Sequence, residues 1–141
     1  MSTAALKIPK KLEPLLRKHK RFKVILGGRG GAKSQAIADL LLFRAQTERV
    51  KIGCFREIQN SIEDSVHSLL GEEIDRMGLT GFEVNKTEIF HKDGGGFRYR
   101  GLNRNPDAIK SMHGFTIFWV EEAHSISADS LKKLTPTLRK E

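Results

Sequence analysis

The sequence predicts an α/β fold in which a mainly parallel sheet is flanked by helices. Three observations predict it. Short apolar, β-branched runs alternate along the chain with segments of helical spacing, as they do where helices connect parallel strands. A glycine-rich loop lies between the first of these runs and the first long helix, and two adjacent acids follow the last run. The length of 141 residues corresponds to one domain.

The first half of the chain is predicted to form three helices and two strands. In chain order they are a short amphipathic helix that contains Leu12, Leu15 and Leu16, a buried strand at 23–26, a helix at 33–47, a strand at 50–55 and a helix at 62–77. Pro14 fits only the first turn of the first helix, because its ring would block a hydrogen bond further along. Asn60-Ser61-Ile62-Glu63 is a capping box, and Gly78 is a typical residue to end the helix that this box opens.

The second half is predicted to form a β-hairpin, a strand and a helix. In chain order they are strands at 82–91 and 97–102 around the turn Asp93-Gly94-Gly95-Gly96, a turn or short helix that begins at Asn105-Pro106, a strand at 116–120 and a helix up to Leu134. We expect the hairpin to be an accessory to the main sheet. Ser127 is expected to cap the last helix, and Pro136 to end it.

The net charge of +8 is concentrated at the N-terminal end. Residues 1–35 hold ten Lys and Arg and one acid, for a net +9, whereas residues 36–141 hold fifteen against sixteen, for a net −1. A basic end favours a polyanionic partner such as nucleic acid or nucleotide, and it is also typical of a terminus that is simply solvated.

The longest apolar runs have four residues, so no membrane span is predicted. The N-terminus lacks the apolar stretch of a secretory signal, and the lone Cys54 excludes an internal disulfide framework, so a cytoplasmic setting is expected.

Residues 27–34 match the phosphate-loop pattern G-x-x-x-x-G-K-[ST] at every required position but one, where Ala32 replaces the last glycine. In such a loop the backbone N–H groups point at the phosphates of a nucleotide, and the next helix adds its positive end. Lys33 is expected to pair with β- and γ-phosphate oxygens and Ser34 to ligate Mg²⁺. A positive φ at Ala32 would cost about 1 kcal/mol. The predicted nucleotide-binding residues are Gly27, Gly28, Arg29, Gly30, Gly31, Ala32, Lys33 and Ser34. The alternative is a glycine-rich turn that binds no ligand.

Glu121 and Glu122 directly follow the strand at 116–120, and Glu121 lies 88 positions beyond Lys33. In a nucleotide hydrolase, an acid at the end of such a strand holds Mg²⁺, usually through water, and the next acid polarises the attacking water. This pair therefore offers both roles. The alternative is an acidic helix cap after an ordinary strand.

Four segments carry a family resemblance when they are taken in this order and spacing. They are RFKVILGGRGGAKSQAIADLLL, FREIQNSIEDSV, GLNRNPDAIKSMHG and FTIFWVEEAHSIS. Together they resemble the N-terminal ATPase domain of tailed-phage terminase large subunits, the motors of DNA packaging. The resemblance covers nearly all of residues 20–140.

The resemblance implies ATP as the nucleotide, Mg²⁺ as its metal and a P-loop fold of the additional-strand type. It implies Ser34 and Glu121 as the residues at the metal, and Glu122, Arg29 and Lys33 as the catalytic residues, with Arg29 sensing or stabilising the γ-phosphate. The family more often has Asp-Glu where this chain has Glu121-Glu122. Exposure of Arg29 to solvent is the alternative to its role at the phosphate.

Three other residues of the resembling segments have no role that the sequence can single out. Arg56 and Gln59 follow the second strand, and they either relay the nucleotide state, contact DNA or hold the loop in place. Lys110 lies just ahead of the strand at 116–120, and no chemistry can be derived for it.

By the same resemblance, residues 1–22 are a basic N-terminal helical segment and residues 23–141 a partial P-loop ATPase domain, with no nuclease domain present. In the family, a strand with the coupling motif comes next and inserts between the strands at 23–26 and 116–120. We therefore expect a sheet truncated before that strand, in which these two strands close up directly or a partner strand fills the gap. Such a sheet is expected to be marginally stable and to support only slow ATP turnover.

The partners that the resemblance implies are double-stranded DNA, the terminase small subunit and the portal protein, in the cytoplasm of the host cell. A homo-oligomer is expected only for the full-length motor. Two functions stay open: the ATP-hydrolysing portion of a packaging motor, or a non-catalytic remnant that binds nucleotide or DNA. An unrelated P-loop kinase or small nucleotidase is disfavoured, because a pair of glutamates suits the activation of water.

Overall fold

The computed structural model describes residues 8, 10–17, 22–26, 32–57, 63–102, 109, 112 and 114–137. The helices are α1 (Pro14–Arg17), α2 (Lys33–Glu48), α3 (Ser68–Arg76) and α4 (Ala128–Thr137), and the strands are β1 (Lys51–Arg56), β2 (Phe82–Val84), β3 (Glu88–His91), β4 (Gly96–Gly101) and β5 (Ile117–Val120). Short helical turns at Lys10–Leu12, Glu63–His67 and Ala123–Ser125 precede α1, α3 and α4. The α/β class that the sequence predicts is confirmed.

Within the described residues, the five strands form one mixed sheet in the order β2-β3-β4-β1-β5. β1 pairs in parallel with both β4 and β5, whereas β2 with β3 and β3 with β4 are antiparallel. The prediction of a mainly parallel sheet is therefore wrong, because parallel and antiparallel pairings are equally frequent among the described strands. The prediction of an accessory hairpin is also wrong, because β4 pairs with β1 along six residues, from Lys51 opposite Gly96 to Arg56 opposite Gly101.

Glycine makes this placement of the hairpin possible. A Cβ on Gly95 would lie 2.5 Å from the carbonyl oxygen of Ala45, near the end of α2. Only a residue without a side chain lets the hairpin turn pass this closely under α2. The run of glycines at 94–96, which predicts a turn, thus also allows β4 to reach the centre of the sheet.

Residues 22–26 lie outside the sheet, so the predicted buried strand at 23–26 is wrong. Val24 and Leu26 are 81% and 89% exposed. The Lys23 side chain instead donates a 2.8 Å hydrogen bond to the carbonyl oxygen of Leu15, at α1. A β-branched run becomes a strand only where a neighbouring strand completes its hydrogen bonds. The expectation that this segment closes directly onto β5 is wrong for the same reason.

Two clusters of apolar side chains cover the two faces of the sheet. On one face α2 and α3 pack on Ile52, Cys54, Phe97, Tyr99 and Trp119, all of which are buried. The other face is covered by residues 109, 112 and 115 and by Leu134 of α4, around Phe55. Cys54, Phe97, Tyr99 and Trp119 are thus core residues.

The helix boundaries follow local signals in part. Ser127 caps α4, since its hydroxyl accepts the Ser130 N–H at 3.1 Å, as predicted. Pro136 does not end this helix, which continues to Thr137, because the ring removes only one hydrogen bond close to the helix end. Gly78 follows α3 with a φ of +62°, as its predicted role at the helix end requires. The predicted capping box and the segment at 105–106 lie largely or wholly outside the described residues.

No helix in the described part of the chain combines the length and apolarity needed to cross a bilayer.

A buried ionic cluster joins α2 to α3. Arg76 donates hydrogen bonds to Asp39 at 2.9 Å and to Glu73 at 2.9 Å, and both carboxyl groups are almost inaccessible to solvent. Burial, followed by the hydrogen bond and charge of Glu73, raises the pKa of Asp39 to about 7. Burial alone would raise the pKa of Glu73, but the hydrogen bonds from Arg76 and Asp39 lower it. Below about pH 7 the proton of this pair of carboxyl groups therefore lies on Asp39.

This cluster predicts a specific dependence of stability on pH. The pKa of Asp39 is higher in the folded chain than its ordinary 3.8, so its contribution to stability is complete below that value and is lost as pH rises towards about 7. The free energy of unfolding should fall by at most about 1.4 kcal/mol per pH unit over this range, and Asp39→Asn should make that fall smaller. Urea unfolding between pH 4.5 and 7 measures it, with Asp75→Asn on the exposed face of α3 as the control. Parallel pH profiles for Asp39→Asn and the unaltered chain would contradict the prediction.

Candidate nucleotide site

The beginning of α2 and the end of β5 meet at one edge of the sheet. The Ser34 hydroxyl, in the first turn of α2, donates a 2.8 Å hydrogen bond to Oε1 of Glu121, the first residue after β5. The two residues are 87 positions apart in sequence. The backbone places Glu121 there by continuing the β1–β5 ladder, since the Glu121 N–H donates to the carbonyl of Phe55 at 3.0 Å. The structure thus brings together the two residues that the sequence predicts at the metal.

The helix end beside this contact is the N-terminus of α2. Ala32 occupies the cap position of α2 with a φ of −66°, and no side chain caps the helix there. The backbone N–H groups of the first turn lack helical partners by construction, and they carry the positive end of a sixteen-residue helix. The expected strain at Ala32 is wrong, because its φ is negative. The other predicted loop residues, Gly27, Gly28, Arg29, Gly30 and Gly31, lie outside the described residues.

Arg56 holds the pair of acids from the neighbouring strand. It is the last residue of β1, and its Nη2 lies 3.3 Å from Oε2 of Glu121 and 3.8 Å from Oε1 of Glu122. The side chains of Arg56 and Glu121 are only 12% and 16% exposed, so this ion pair is well shielded from solvent. The contact with the acid pair is none of the three roles that the sequence leaves open for Arg56, and those three stay predictions. Gln59 and Lys110 are outside the described residues.

Glu122 has an unusual backbone conformation. Its φ of +52° and ψ of 46° are left-handed, and its side chain is 54% exposed. The following turn stabilises this conformation, because both the N–H and the hydroxyl of Ser125 donate to the Glu122 carbonyl, at 3.0 and 2.8 Å. A non-glycine residue in this conformation costs free energy, and such residues concentrate at functional sites. The Glu122 carboxylate thus remains within 3.8 Å of Arg56 while its side chain is half exposed, whereas Glu121 lies beside Ser34.

The oxygen atoms at this edge suit a small hard cation. A hydroxyl and a carboxylate oxygen 2.8 Å apart are the kind of donors that Mg²⁺ takes, with phosphate and water completing its shell. The described residues contain no group of three or more His, Cys, Asp or Glu side chains that could hold a metal ion.

Glu57 is a residue of this edge that sequence reasoning missed. It follows Arg56, and its carboxylate accepts hydrogen bonds from the Ser130 hydroxyl at 3.3 Å and the Ser127 N–H at 3.4 Å, at the start of α4. An acid at the end of a strand and a Ser-x-x-Ser pair at the start of a helix are the only signals in the sequence. Neither signal indicates that they meet.

Comparison with known proteins identifies the family of this chain. A family model described as phage terminase large subunit matches residues 19–141. The chain is also similar to the PBSX phage terminase large subunit of Bacillus subtilis (strain 168), with 26% identity over 121 residues. That match covers 84% of this chain and 28% of the relative, so the chain spans a little over a quarter of the relative's length. The chain therefore belongs to the phage terminase large subunit family.

Proposed function

We propose that this chain is the ATP-binding and ATP-hydrolysing portion of a phage terminase large subunit, which powers the packaging of double-stranded DNA into the procapsid. One observation carries the proposal. The Ser34 hydroxyl and the Glu121 carboxylate, 87 residues apart, meet at 2.8 Å beside the N-terminus of α2. That pairing is what a P-loop fold of the additional-strand type requires around Mg²⁺ and a triphosphate.

Each residue of the site has a proposed role. Lys33 neutralises the β- and γ-phosphate oxygens, and Ser34 with Glu121 holds Mg²⁺. Glu122 accepts a proton from the water that attacks the γ-phosphorus, and Arg29 stabilises the charge on the γ-phosphate. Bound Mg²⁺ supplies charge neutralisation at the phosphate oxygens.

Arg56 has a proposed role in the nucleotide-free chain. Two carboxylates close together repel each other, and the Arg56 guanidinium offsets this repulsion by contacting both. A divalent cation between Ser34 and Glu121 would bring a second positive charge next to the guanidinium. We therefore infer that Mg²⁺ and Arg56 compete for Glu121, so that binding of the metal releases Arg56.

The proposed partners follow from the family. They are double-stranded DNA, the terminase small subunit and the portal protein, with homo-oligomers formed by the full-length motor in the host cytoplasm. The net charge of +9 in residues 1–35 supports an electrostatic contact with DNA.

A non-catalytic remnant that binds nucleotide or DNA is the second candidate. The exposure of residues 22–26 favours it, because the phosphate loop then lacks support from a strand that precedes it. The two candidates agree on nucleotide binding and differ on hydrolysis.

The contribution of Mg²⁺ to nucleotide affinity tests the proposal. Ser34→Ala removes an oxygen ligand and Glu121→Gln replaces a charged carboxylate ligand by a neutral amide, so each should reduce the gain in affinity that Mg²⁺ gives by roughly tenfold. Titration of a fluorescent ATP analogue with and without Mg²⁺ measures both values. Ser68→Ala, at the exposed start of α3, is the control. If Ser34→Ala keeps the full gain from Mg²⁺, the proposed metal site is wrong.

A further inference from the structure

Arg56 and Glu57 are neighbours in sequence but reach in different directions from the end of β1. The Leu102 N–H, after β4, donates to the carbonyl oxygens of both residues, at 3.0 and 3.2 Å. This shared contact fixes their backbone as one unit at the edge of the sheet. A displacement of one residue is therefore passed on to the other.

The side chains of Arg56 and Glu57 contact the two ends of one segment, residues 121–130. Arg56 contacts Glu121 and Glu122 at the start of the segment, and Glu57 contacts Ser127 and Ser130 at its end. Between them the chain is held by a short helical turn, in which the Ile126 N–H donates to the carbonyl of Ala123 at 3.2 Å. The result is a closed ring of contacts from the acid pair to the first turn of α4 and back to β1. We refer to residues 56, 57 and 121–130 as the edge ring.

The hydrogen bonds at the start of α4 form a directed chain. The Ser127 hydroxyl donates to the Ser130 hydroxyl at 2.9 Å, and the Ser130 hydroxyl donates to Glu57. Because each hydroxyl has one hydrogen, the carboxylate of Glu57 sets the direction of both bonds. Ser130 is buried, so water cannot readily replace Glu57 as its acceptor. The charge of Glu57 is also favourable next to the positive end of α4.

We propose that Glu57 is a positioning residue that couples the acid pair to α4 through the edge ring. This inference rests on the proposed function, in which Mg²⁺ and nucleotide displace Arg56 from Glu121. Release of Arg56 loosens the backbone unit at 56–57, and Glu57 transmits this change to the first turn of α4. The site that binds the nucleotide thereby controls a helix whose Leu131 and Lys132 face solvent.

The coupling can be tested without nucleotide, by amide hydrogen exchange of the 141-residue chain. Arg56→Gln should speed exchange in the first turn of α4 roughly fivefold when Glu57 is present. In a Glu57→Ala background, Arg56→Gln should add no further acceleration there. Exchange within α3 should stay constant in all variants, and Glu83→Ala on the exposed face of β2 is the control.

Two results would overturn the proposal. One is unchanged exchange in α4 after Arg56→Gln, and the other is equal acceleration with and without Glu57, since Arg56 would then act by another route. If Glu57→Ala does not fold, Ser130→Ala removes the same contact from the side of α4 and gives the same comparison. Loss of ATP binding would refute the proposed function and would leave the measured coupling unaffected, so the two failures are distinguishable.

Discussion

Lys33→Ala is expected to lower the affinity for ATP by about 10- to 100-fold. Lys33 lies in the first turn of α2, one residue before Ser34, and in the proposed arrangement its ammonium group pairs with the β- and γ-phosphate oxygens. A charged hydrogen bond to phosphate is worth about 1.5–3 kcal/mol, which corresponds to this range of affinity. Isothermal titration calorimetry with ATP and Mg²⁺ measures the change.

The matched control for this substitution is Lys51→Ala. Lys51 is exposed at the beginning of β1, at the other end of the strand from Arg56, so its removal changes the net charge equally without touching the site. The far-ultraviolet circular dichroism of both variants should match that of the unaltered chain. Equal ATP affinity in the Lys33→Ala variant and the unaltered chain would show that residues 27–34 do not form the nucleotide site.

Glu122→Gln is expected to reduce ATP turnover by about 10²- to 10⁴-fold, the usual contribution of a general base. The substitution keeps the shape of the side chain and the contact surface, but the amide cannot accept the proton from water. Single-turnover measurements with excess protein are the suitable assay, because we expect slow hydrolysis by this chain. ATP affinity should stay within a factor of two of the original, because Glu122 holds no phosphate in the proposed arrangement.

This measurement also separates the two candidate functions. Glu83→Gln, an exposed acid on β2, provides the control for charge. Turnover that depends on Glu122 supports the ATP-hydrolysing motor. If the chain binds nucleotide but shows no turnover that Glu122→Gln reduces, the result favours the non-catalytic remnant.

The contact between Ser34 and Glu121 could be predicted from sequence, whereas the pairing of the strands that hold them could be predicted only in part. Ser34 and Glu121 were identifiable because metal and phosphate chemistry restricts residue types and spacing, and they do meet. Local patterns also predict α2, β1, β5 and the cap at Ser127. These signals depend on neighbouring residues, so they persist whatever the tertiary arrangement.

The wrong predictions concern contacts between elements that are far apart in sequence. The pairing of β4 with β1 depends on the close passage of Gly95 under Ala45, which no pattern of apolar residues reports. The apolar run at 23–26 has strand propensity, but propensity does not supply a partner. Glu57 was missed for a similar reason, because the residues that it contacts, Ser127 and Ser130, lie 70 and 73 positions away in sequence.

The position of β1 in the sheet has a consequence for how the chain folds. β1 is formed by residues 51–56, yet both of its neighbours come later, β4 at 96–101 and β5 at 117–120. During synthesis, Ile52, Cys54 and Phe55 must therefore remain without any sheet partner until β4 has been made, and without their second neighbour until β5 is complete, more than 60 residues after the end of β1. Parallel pairings over such separations close large loops before they gain contacts, which slows folding and leaves an apolar strand exposed to other chains. The nascent chain is thus most prone to aggregate in the interval between synthesis of β1 and of β5, and chaperone binding is expected to concentrate on residues 51–56.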